Sequence, residues 1–119
     1  MVDDEGSVRV LLVFLLTRAG YEVCAFETAE ACLADLAERP AQLVIADRVL
    51  PGMDGIELFR RARAIRPGLE GILVTGFPSG DTQHEASVAG MRDYVIKPFQ
   101  VSDILAVCQA AMKLAPKSK

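Results

Sequence analysis

Five polar residues stand where short apolar segments of the chain end, and their types suit one kind of chemistry. They are Asp3 and Asp4 near the N-terminus, Asp47 after "LVIA", Thr75 after "GILV" and Lys97 after "DYVI". Carboxylates held close together repel one another and attract a hard divalent cation such as Mg²⁺, which prefers oxygen ligands. An ammonium group and a hydroxyl facing them would neutralise a phosphoryl group and hydrogen-bond to it. The residue types therefore indicate metal-assisted phosphoryl chemistry, provided that the fold brings them together.

The segments that carry these residues alternate between strand-like and helical patterns. Residues 21–26, 41–47, 71–75 and 93–97 are short, apolar and rich in β-branched side chains, which is typical of strands, the middle ones buried on both faces. Helical periodicity lies between them, beginning with an apolar stripe within residues 8–16. This alternation predicts an α/β fold with a parallel sheet covered by helices on both faces. Because the carboxyl ends of parallel strands meet at one edge, we expect the five polar residues to converge there.

Length and composition restrict the classes of protein that fit. A chain of 119 residues predicts a single domain over residues 1–115, followed by a short tail at 116–119. The net charge of −3 argues against direct binding to nucleic acid, which needs a basic surface. The longest apolar run, residues 10–16, is shorter than the roughly 18 residues that span a bilayer, and the N-terminus lacks the pattern of a signal peptide. We therefore expect a cytoplasmic protein that does not enter a membrane.

The three cysteines, Cys24, Cys32 and Cys108, are interpreted as core thiols in a reducing cytosol. They are scattered within apolar patterns and form no CxxC motif. They also lack metal-binding spacing relative to His84, the single histidine, which we expect on a helix surface. The sequence therefore gives no sign of a disulfide framework or of a zinc site.

Four motifs carry the polar residues introduced above. They are "DDE" at residues 3–5, "DRVLPGMDG" at 47–55, "VTG" at 74–76 and "AGMRDYVIKPF" at 89–99. In order and spacing this set resembles the receiver domain of two-component response regulators, with 43 residues from Asp4 to Asp47, 28 from Asp47 to Thr75 and 22 from Thr75 to Lys97. The resemblance covers nearly the whole chain.

The resemblance implies a doubly wound, five-stranded parallel sheet in the strand order 2-1-3-4-5, flanked by five helices. Two features depart from the usual pattern of the family. Only Met1 and Val2 precede the acidic pair, so the first strand, which is central in that order, is truncated. Arg48 follows Asp47 where an apolar residue is more usual. Its side chain is harmless if it lies along the surface, but if it turns inward it would pair with Asp47 and compete with Mg²⁺.

The resemblance also assigns roles at the predicted site. Asp47 would accept a phosphoryl group from a phosphohistidine of a sensor histidine kinase or a phosphotransfer protein. Asp4 and Asp47, together with the backbone carbonyl of Val49, would bind Mg²⁺, and Asp3 would hold a metal-bound water in the outer shell. Lys97 and Mg²⁺ would spread the charge of the group in transfer.

Two residues would convert phosphorylation into a change of surface. Thr75 would bond a phosphoryl oxygen, and Tyr94 would swing inward in response. This movement would alter the surface made by the fourth helix, the fifth strand and the fifth helix, through which an output domain or a second copy of the chain could bind. The protein would then be a binding switch that catalyses only its own phosphorylation and dephosphorylation, not an enzyme with turnover.

Further residues would control access to the phosphorus atom. Gly76 is small and would leave room for the phosphoryl group. The apolar side chains of Val49 and Phe77 would flank the line of attack by water, so hydrolysis should be slow. The peptide bond before Pro98 is often cis in this family, which would aim the side chain of Lys97 inward.

Other interpretations of the same residues stay open. The acidic pair could favour a helix N-terminus, Thr75 could be an ordinary strand residue, Lys97 a solvated strand end and Tyr94 a packing residue. At the level of function, the chain could be a receiver-like interaction module that no longer responds to phosphate. An aspartyl-phosphate phosphatase is a third hypothesis, but that class has Asp-x-Asp, whereas Val49 lies two residues after Asp47.

Overall fold

The structure, a computed structural model, describes residues 1–2, 6–76, 79–97 and 99–114. The predicted site residues Asp3, Asp4, Phe77 and Pro98 and the predicted tail lie outside these ranges. The elements in chain order are α1 (Gly6–Arg18), α2 (Ala29–Glu38), β1 (Leu43–Asp47), α3 (Gly55–Ile65), β2 (Glu70–Thr75), α4 (Gly80–Ala89), β3 (Asp93–Ile96) and α5 (Val101–Leu114). The predicted alternation of strands and helices is confirmed from residue 29 onward.

The sheet consists of three parallel strands in the order β1-β2-β3. In the register of these strands, Asp47 lies beside Val74, and Thr75 lies beside Ile96. Lys97 follows β3 directly, and its backbone N–H donates to the carbonyl of Thr75 at 2.7 Å. The polar residues at the ends of these three strands therefore meet at one edge, as the sequence predicts.

The prediction of five strands is not confirmed, because the described residues contain three. Where the other two were expected, Val2 forms single parallel bridges to Phe26 on one side and to Ala46 in β1 on the other. The order of these segments nevertheless matches the predicted 2-1-3-4-5. In the described part of this segment Val2 alone forms such bridges, one on each side, and a single bridged residue does not make a strand.

Helices cover both faces of the sheet and bury two apolar clusters. Successive residues of β1 alternate between them, with Val44 and Ala46 in one cluster and Ile45 in the other. The first cluster is closed by α2, α3 and α4, with side chains that include Cys32, Leu36, Ile56, Phe59 and Ala86. The second is closed by α1 and α5, with side chains that include Leu12, Leu16, Ile104, Cys108 and Ala111. This is the doubly wound arrangement that the buried strands predict.

The apolar stripe of α1 is only partly buried. Leu12 and Leu16 are in the core, whereas Leu11, Val10 and Phe14 are exposed, because apolar residues run around most of the helix. The guanidinium of Arg18 lies over the ring of Phe14 at 5.5 Å from its centroid. No helix in the part of the chain that the structure describes is long and apolar enough to cross a membrane.

Two of the three cysteines are core residues, as predicted. Burial raises the pKa of the Cys108 thiol to about 11 and also raises the pKa of Cys32, so both remain protonated at neutral pH and pack as small apolar side chains. The prediction is wrong for Cys24, which is exposed. A strand was predicted at residues 21–26, but residues 21–25 are not in a strand, and Nη2 of Arg39 donates to the Cys24 sulfur at 3.3 Å.

Candidate functional site

A buried ion pair lies at the carboxyl edge of the sheet. The Nζ atom of Lys97 donates to Oδ2 of Asp47 at 2.8 Å, although the two residues are 50 positions apart in the chain. The side chains are 16% and 8% exposed. Burying a carboxylate is costly without a charged partner, and Lys97 supplies that partner for Asp47. Both residues are therefore where the sequence predicts them, and Lys97 is not a solvated strand end.

The second carboxylate oxygen of Asp47 is held by the loop that follows β1. The backbone N–H of Val49 donates to Oδ1 of Asp47 at 3.2 Å, which closes a turn over the carboxylate. The side chain of Leu50 is buried and anchors the loop, whereas the side chain of Val49 is 55% exposed. Val49 is thus next to the carboxylate with its side chain open to solvent, and its role beside a phosphoryl group stays a prediction.

The start of α3 approaches the backbone of Asp47 so closely that only glycine fits. A Cβ atom on Gly55 would clash with the carbonyl oxygen of Asp47 and press on the side chain of Leu73. The preceding residue, Asp54, caps α3 by accepting the N–H of Glu57 on Oδ1 at 2.8 Å. The sequence "MDG" predicts this turn and the start of the helix, but it does not predict the close approach to Asp47. The feature of the sequence that could have indicated this approach is a glycine at the first position of a helix.

Thr75 and Gly76 lie beside Lys97. Thr75 ends β2 and is fully buried. A Cβ atom on Gly76 would be 3.9 Å from Cβ of Lys97, an ordinary contact, so a larger side chain there would occupy space next to the lysine instead of straining the backbone. The predicted roles of these two residues toward a phosphoryl group stay predictions.

Tyr94 connects β3 to the beginning of α4. Its half-buried ring packs against the apolar cluster on the face of α2, α3 and α4, and its hydroxyl accepts the backbone N–H of Ser79 at 3.3 Å. Ser79 in turn caps α4 by accepting the N–H of Thr82 at 3.1 Å. The sequence gives no sign of this contact between Tyr94 and Ser79. A packing role and a switching role are both compatible with it.

Arg48 does not turn toward the carboxylate. Among the described residues its guanidinium forms an ion pair with Asp54, with Nη1 and Oδ2 3.6 Å apart, while Asp47 pairs with Lys97. The inward arrangement that would compete with Mg²⁺ is therefore not adopted.

Two of the predicted metal ligands are among the described residues. They are the carboxylate of Asp47 and the backbone carbonyl of Val49, both of them oxygen ligands of the kind that Mg²⁺ prefers. The described residues include no group of three or more histidine, cysteine, aspartate or glutamate side chains that could hold a metal ion. The predicted set would be completed by Asp4, with Asp3 in the outer shell, and both lie outside the described residues.

Comparison with known proteins gives matches over nearly the full chain. A family model described as "Response regulator receiver domain" matches residues 1–109. The response regulator receiver protein CpdR of Brucella abortus is 36% identical over 111 residues, covering 88% of this chain and 88% of that protein. The response regulator protein FleR of Pseudomonas aeruginosa is 37% identical over 105 residues, but the match spans 22% of its length.

Solved structures with the same fold are also similar. The CheY-like receiver domain protein of Methanospirillum hungatei superposes with a TM-score of 0.88 at 32% identity, over 95% of this chain and 91% of that one. The receiver domain of NtrX from Brucella abortus superposes with a TM-score of 0.88 at 28% identity, over 96% and 97% of the two chains. The chain thus spans most of some relatives and less than a quarter of others.

The contact of Gly55 with Asp47 makes a prediction about stability. We expect Gly55→Ala to lower the free energy of unfolding by about 2 kcal/mol or more, because the added methyl meets backbone that cannot move aside. The measurement is urea unfolding followed by circular dichroism. Gly80→Ala is the matched control, since a Cβ atom at the start of α4 has nothing within 4 Å. Equal stability of the two variants would show that the backbone at the start of α3 can shift to accommodate the methyl group at little cost.

Proposed function

The chain belongs to the response regulator receiver domain family, and we propose that it works as a phosphorylation switch in a two-component system. Asp47 accepts a phosphoryl group from a phosphohistidine of a sensor histidine kinase or a phosphotransfer protein. The observation that carries this proposal is the buried Asp47–Lys97 pair at the carboxyl edge of the sheet, 2.8 Å between Nζ and Oδ2. A carboxylate beside a lysine at this edge has the charge and position that phosphoryl transfer needs.

The transfer step follows from the chemistry of the two groups. A carboxylate oxygen of Asp47 attacks phosphorus, the bond from phosphorus to the imidazole nitrogen breaks, and the imidazole leaves with the electron pair and takes up a proton. Asp4, Asp47 and the carbonyl of Val49 would hold Mg²⁺, with Asp3 in the outer shell. When bound, the ion would neutralise charge on the phosphoryl oxygens.

Lys97 gains a new partner in the product. Once Asp47 is phosphorylated, as an acyl phosphate, its carboxyl group no longer carries the charge that pairs with Lys97 in the structure. The ammonium group, still in a site that is mostly shielded from water, is then drawn to the phosphoryl oxygens. The same lysine therefore pairs with the acceptor carboxylate before transfer and with the phosphoryl group after it.

The switch itself would run from Thr75 to α4. Thr75 ends β2, where its carbonyl accepts the backbone N–H of Lys97, and we propose that its hydroxyl bonds the phosphoryl group. Four residues later Ser79 caps α4 and donates its backbone N–H to Tyr94. A shift of Thr75 would thereby reach the surface of α4, β3 and α5. That surface is the proposed contact for an output domain or a second copy of the chain.

We propose a switch and not an enzyme that turns over a separate substrate. The residue two positions after Asp47 is Val49, which cannot serve as the second carboxylate of an aspartyl-phosphate phosphatase. The net charge of −3 fits signalling by contact with proteins instead of direct contact with nucleic acid. A cytoplasmic location is part of the proposal, since a kinase's phosphohistidine must be within reach.

The first experiment tests whether Asp47 accepts phosphate. We expect intact mass spectrometry after incubation with acetyl phosphate and Mg²⁺ to show a gain of one phosphoryl group. Asp47→Ala should show none, and neither should the parent chain with EDTA in place of Mg²⁺. A parent chain that folds but gains no mass would identify it as a receiver-like interaction module that no longer responds to phosphate.

The lifetime of the phosphorylated state depends on what lies next to Asp47. We expect slow hydrolysis, because the exposed Val49 side chain cannot hold a water for in-line attack. Val49→Asn should speed it up by about tenfold, the effect of one oriented water that lowers the barrier by roughly 1.4 kcal/mol. The measurement is the decay of phosphorylated protein after removal of the donor. Val88→Asn, an exposed site near the far end of α4, is the control and should decay like the parent.

The route from Thr75 to Tyr94 can be followed by amide NMR with beryllofluoride, a phosphoryl mimic. We expect the parent chain to show shifts at Ser79 and Tyr94 on adding beryllofluoride and Mg²⁺, and Thr75→Ala to bind the mimic with those shifts reduced or absent. Thr75→Ser, which keeps the hydroxyl, should behave like the parent. Shifts of equal size in Thr75→Ala would exclude Thr75 from the route.

A further inference from the structure

Arg48 is fixed on both sides by backbone hydrogen bonds. Its N–H donates to the carbonyl of Val74 at 2.7 Å, which extends the pairing of β1 with β2 beyond Asp47. Its carbonyl accepts the N–H of Gly55, the first residue of α3, at 3.1 Å. The loop between β1 and α3 is therefore pinned at its first residue to the sheet and to the next helix.

The side chain of Arg48 spans the same loop. Its Nη1 lies 3.6 Å from Oδ2 of Asp54, while the other oxygen of Asp54 accepts the N–H of Glu57 and caps α3. The pair joins the two ends of residues 48–54, and Val49, whose carbonyl is the predicted third metal ligand, is the second residue of that loop. An ion pair across its ends restricts the positions that this carbonyl can take.

The arrangement carries a cost in stability. The Nε atom of Arg48 is buried and has no hydrogen-bond acceptor among the described residues. A buried N–H donor without an acceptor destabilises the folded state, and an apolar side chain of similar length would avoid this. A residue that destabilises the fold next to a functional site is a candidate for a role in that site.

We propose that Arg48 is a positioning residue for the phosphoacceptor loop. Through its ion pair with Asp54 it holds residues 48–54 in the arrangement that presents the Val49 carbonyl to Mg²⁺ beside Asp47. Arg48 itself contacts neither the ion nor the phosphoryl group. This inference rests on the proposed function, because it concerns the same site.

An effect of charge alone on Mg²⁺ binding predicts the opposite result for substitution of Arg48. If Arg48 and Asp54 acted on Mg²⁺ only through their charges, removing the arginine would strengthen Mg²⁺ binding and removing the aspartate charge would weaken it. If they act by holding the loop, removing either one weakens Mg²⁺ binding. The sign of the change in Arg48→Met therefore separates the two explanations.

The experiment compares Arg48→Met with Asp54→Asn, which keeps a good capping side chain for α3 but loses the charge. Mg²⁺ is titrated into each ¹⁵N-labelled protein, and the dissociation constant is read from amide shifts. We expect both variants to bind Mg²⁺ about tenfold more weakly than the parent, the lower end of what disturbed ligand support costs. The double variant should be no weaker than either single one, because both remove the same interaction.

Two controls keep the result specific to the loop. Arg61→Met makes the same substitution in an exposed pair with Glu57 on α3, and should leave Mg²⁺ binding unchanged. Arg48→Lys can still pair with Asp54 and should bind Mg²⁺ within about threefold of the parent. Thermal unfolding should show Arg48→Met to be at least as stable as the parent, so that weaker Mg²⁺ binding cannot be a loss of folding.

The outcomes separate this inference from the proposed function. Tighter Mg²⁺ binding by Arg48→Met, or unchanged binding in both Arg48→Met and Asp54→Asn, would overturn the positioning role while leaving the switch intact. Weaker binding matched by an equal loss of thermal stability would also overturn it. A parent chain that neither binds Mg²⁺ nor accepts phosphate would instead overturn the proposed function, on which the inference depends.

Discussion

The ion pair between Asp47 and Lys97 is the interaction on which the rest of the site depends. A carboxylate that is 8% exposed needs a close cation to offset the cost of its burial, and the cation here comes from 50 residues further along the chain. The two side chains meet because β1, β2 and β3 are parallel and in a register that ends them at one edge. The register of the sheet and the electrostatics of the site therefore depend on each other. A shift in the register of one strand would leave a buried charge without a partner.

The backbone around Asp47 obeys a second constraint, which is steric. The first turn of α3 packs against the carbonyl of Asp47 with room for glycine alone, and the cap of that turn also holds Arg48. Three elements consequently hold the carboxylate. Asp47 ends β1 in the sheet, Lys97 pairs with its Oδ2, and the loop that leads into α3 donates the Val49 N–H to its Oδ1. In the proposed function this rigidity matters, because a nucleophile that is already in place needs no reorganisation at the moment of transfer.

The sequence was sufficient for those parts of the fold that depend on local pattern. The apolar runs predicted β1, β2 and β3 nearly to the residue, and Asp47 and Lys97 were expected together because parallel strands share an edge. The five-strand sheet was not confirmed, since the described residues contain three strands and Val2 forms only single bridges beside them. The prediction that Cys24 is a core thiol was wrong, since residues 21–25 are not in a strand and the residue is exposed. The partner of Arg48 could not be predicted, because it depends on a turn through Gly52 at φ 76° that sets where the loop returns. The roles of Asp3 and Asp4 stay predictions.

The difference between α3 and α4 explains why the proposed signal would travel in one direction. α3 buries five residues, among them Phe59, whereas α4 buries only Thr82 and Ala86. Small buried side chains give up little apolar contact when a helix moves, so α4 is the less costly of the two to displace. Its N-cap Ser79 also donates its backbone N–H to Tyr94, the residue proposed to respond to phosphorylation. A change at Thr75, four residues before that cap, would therefore be taken up by α4 and β3, while α3 continues to hold the backbone of Asp47.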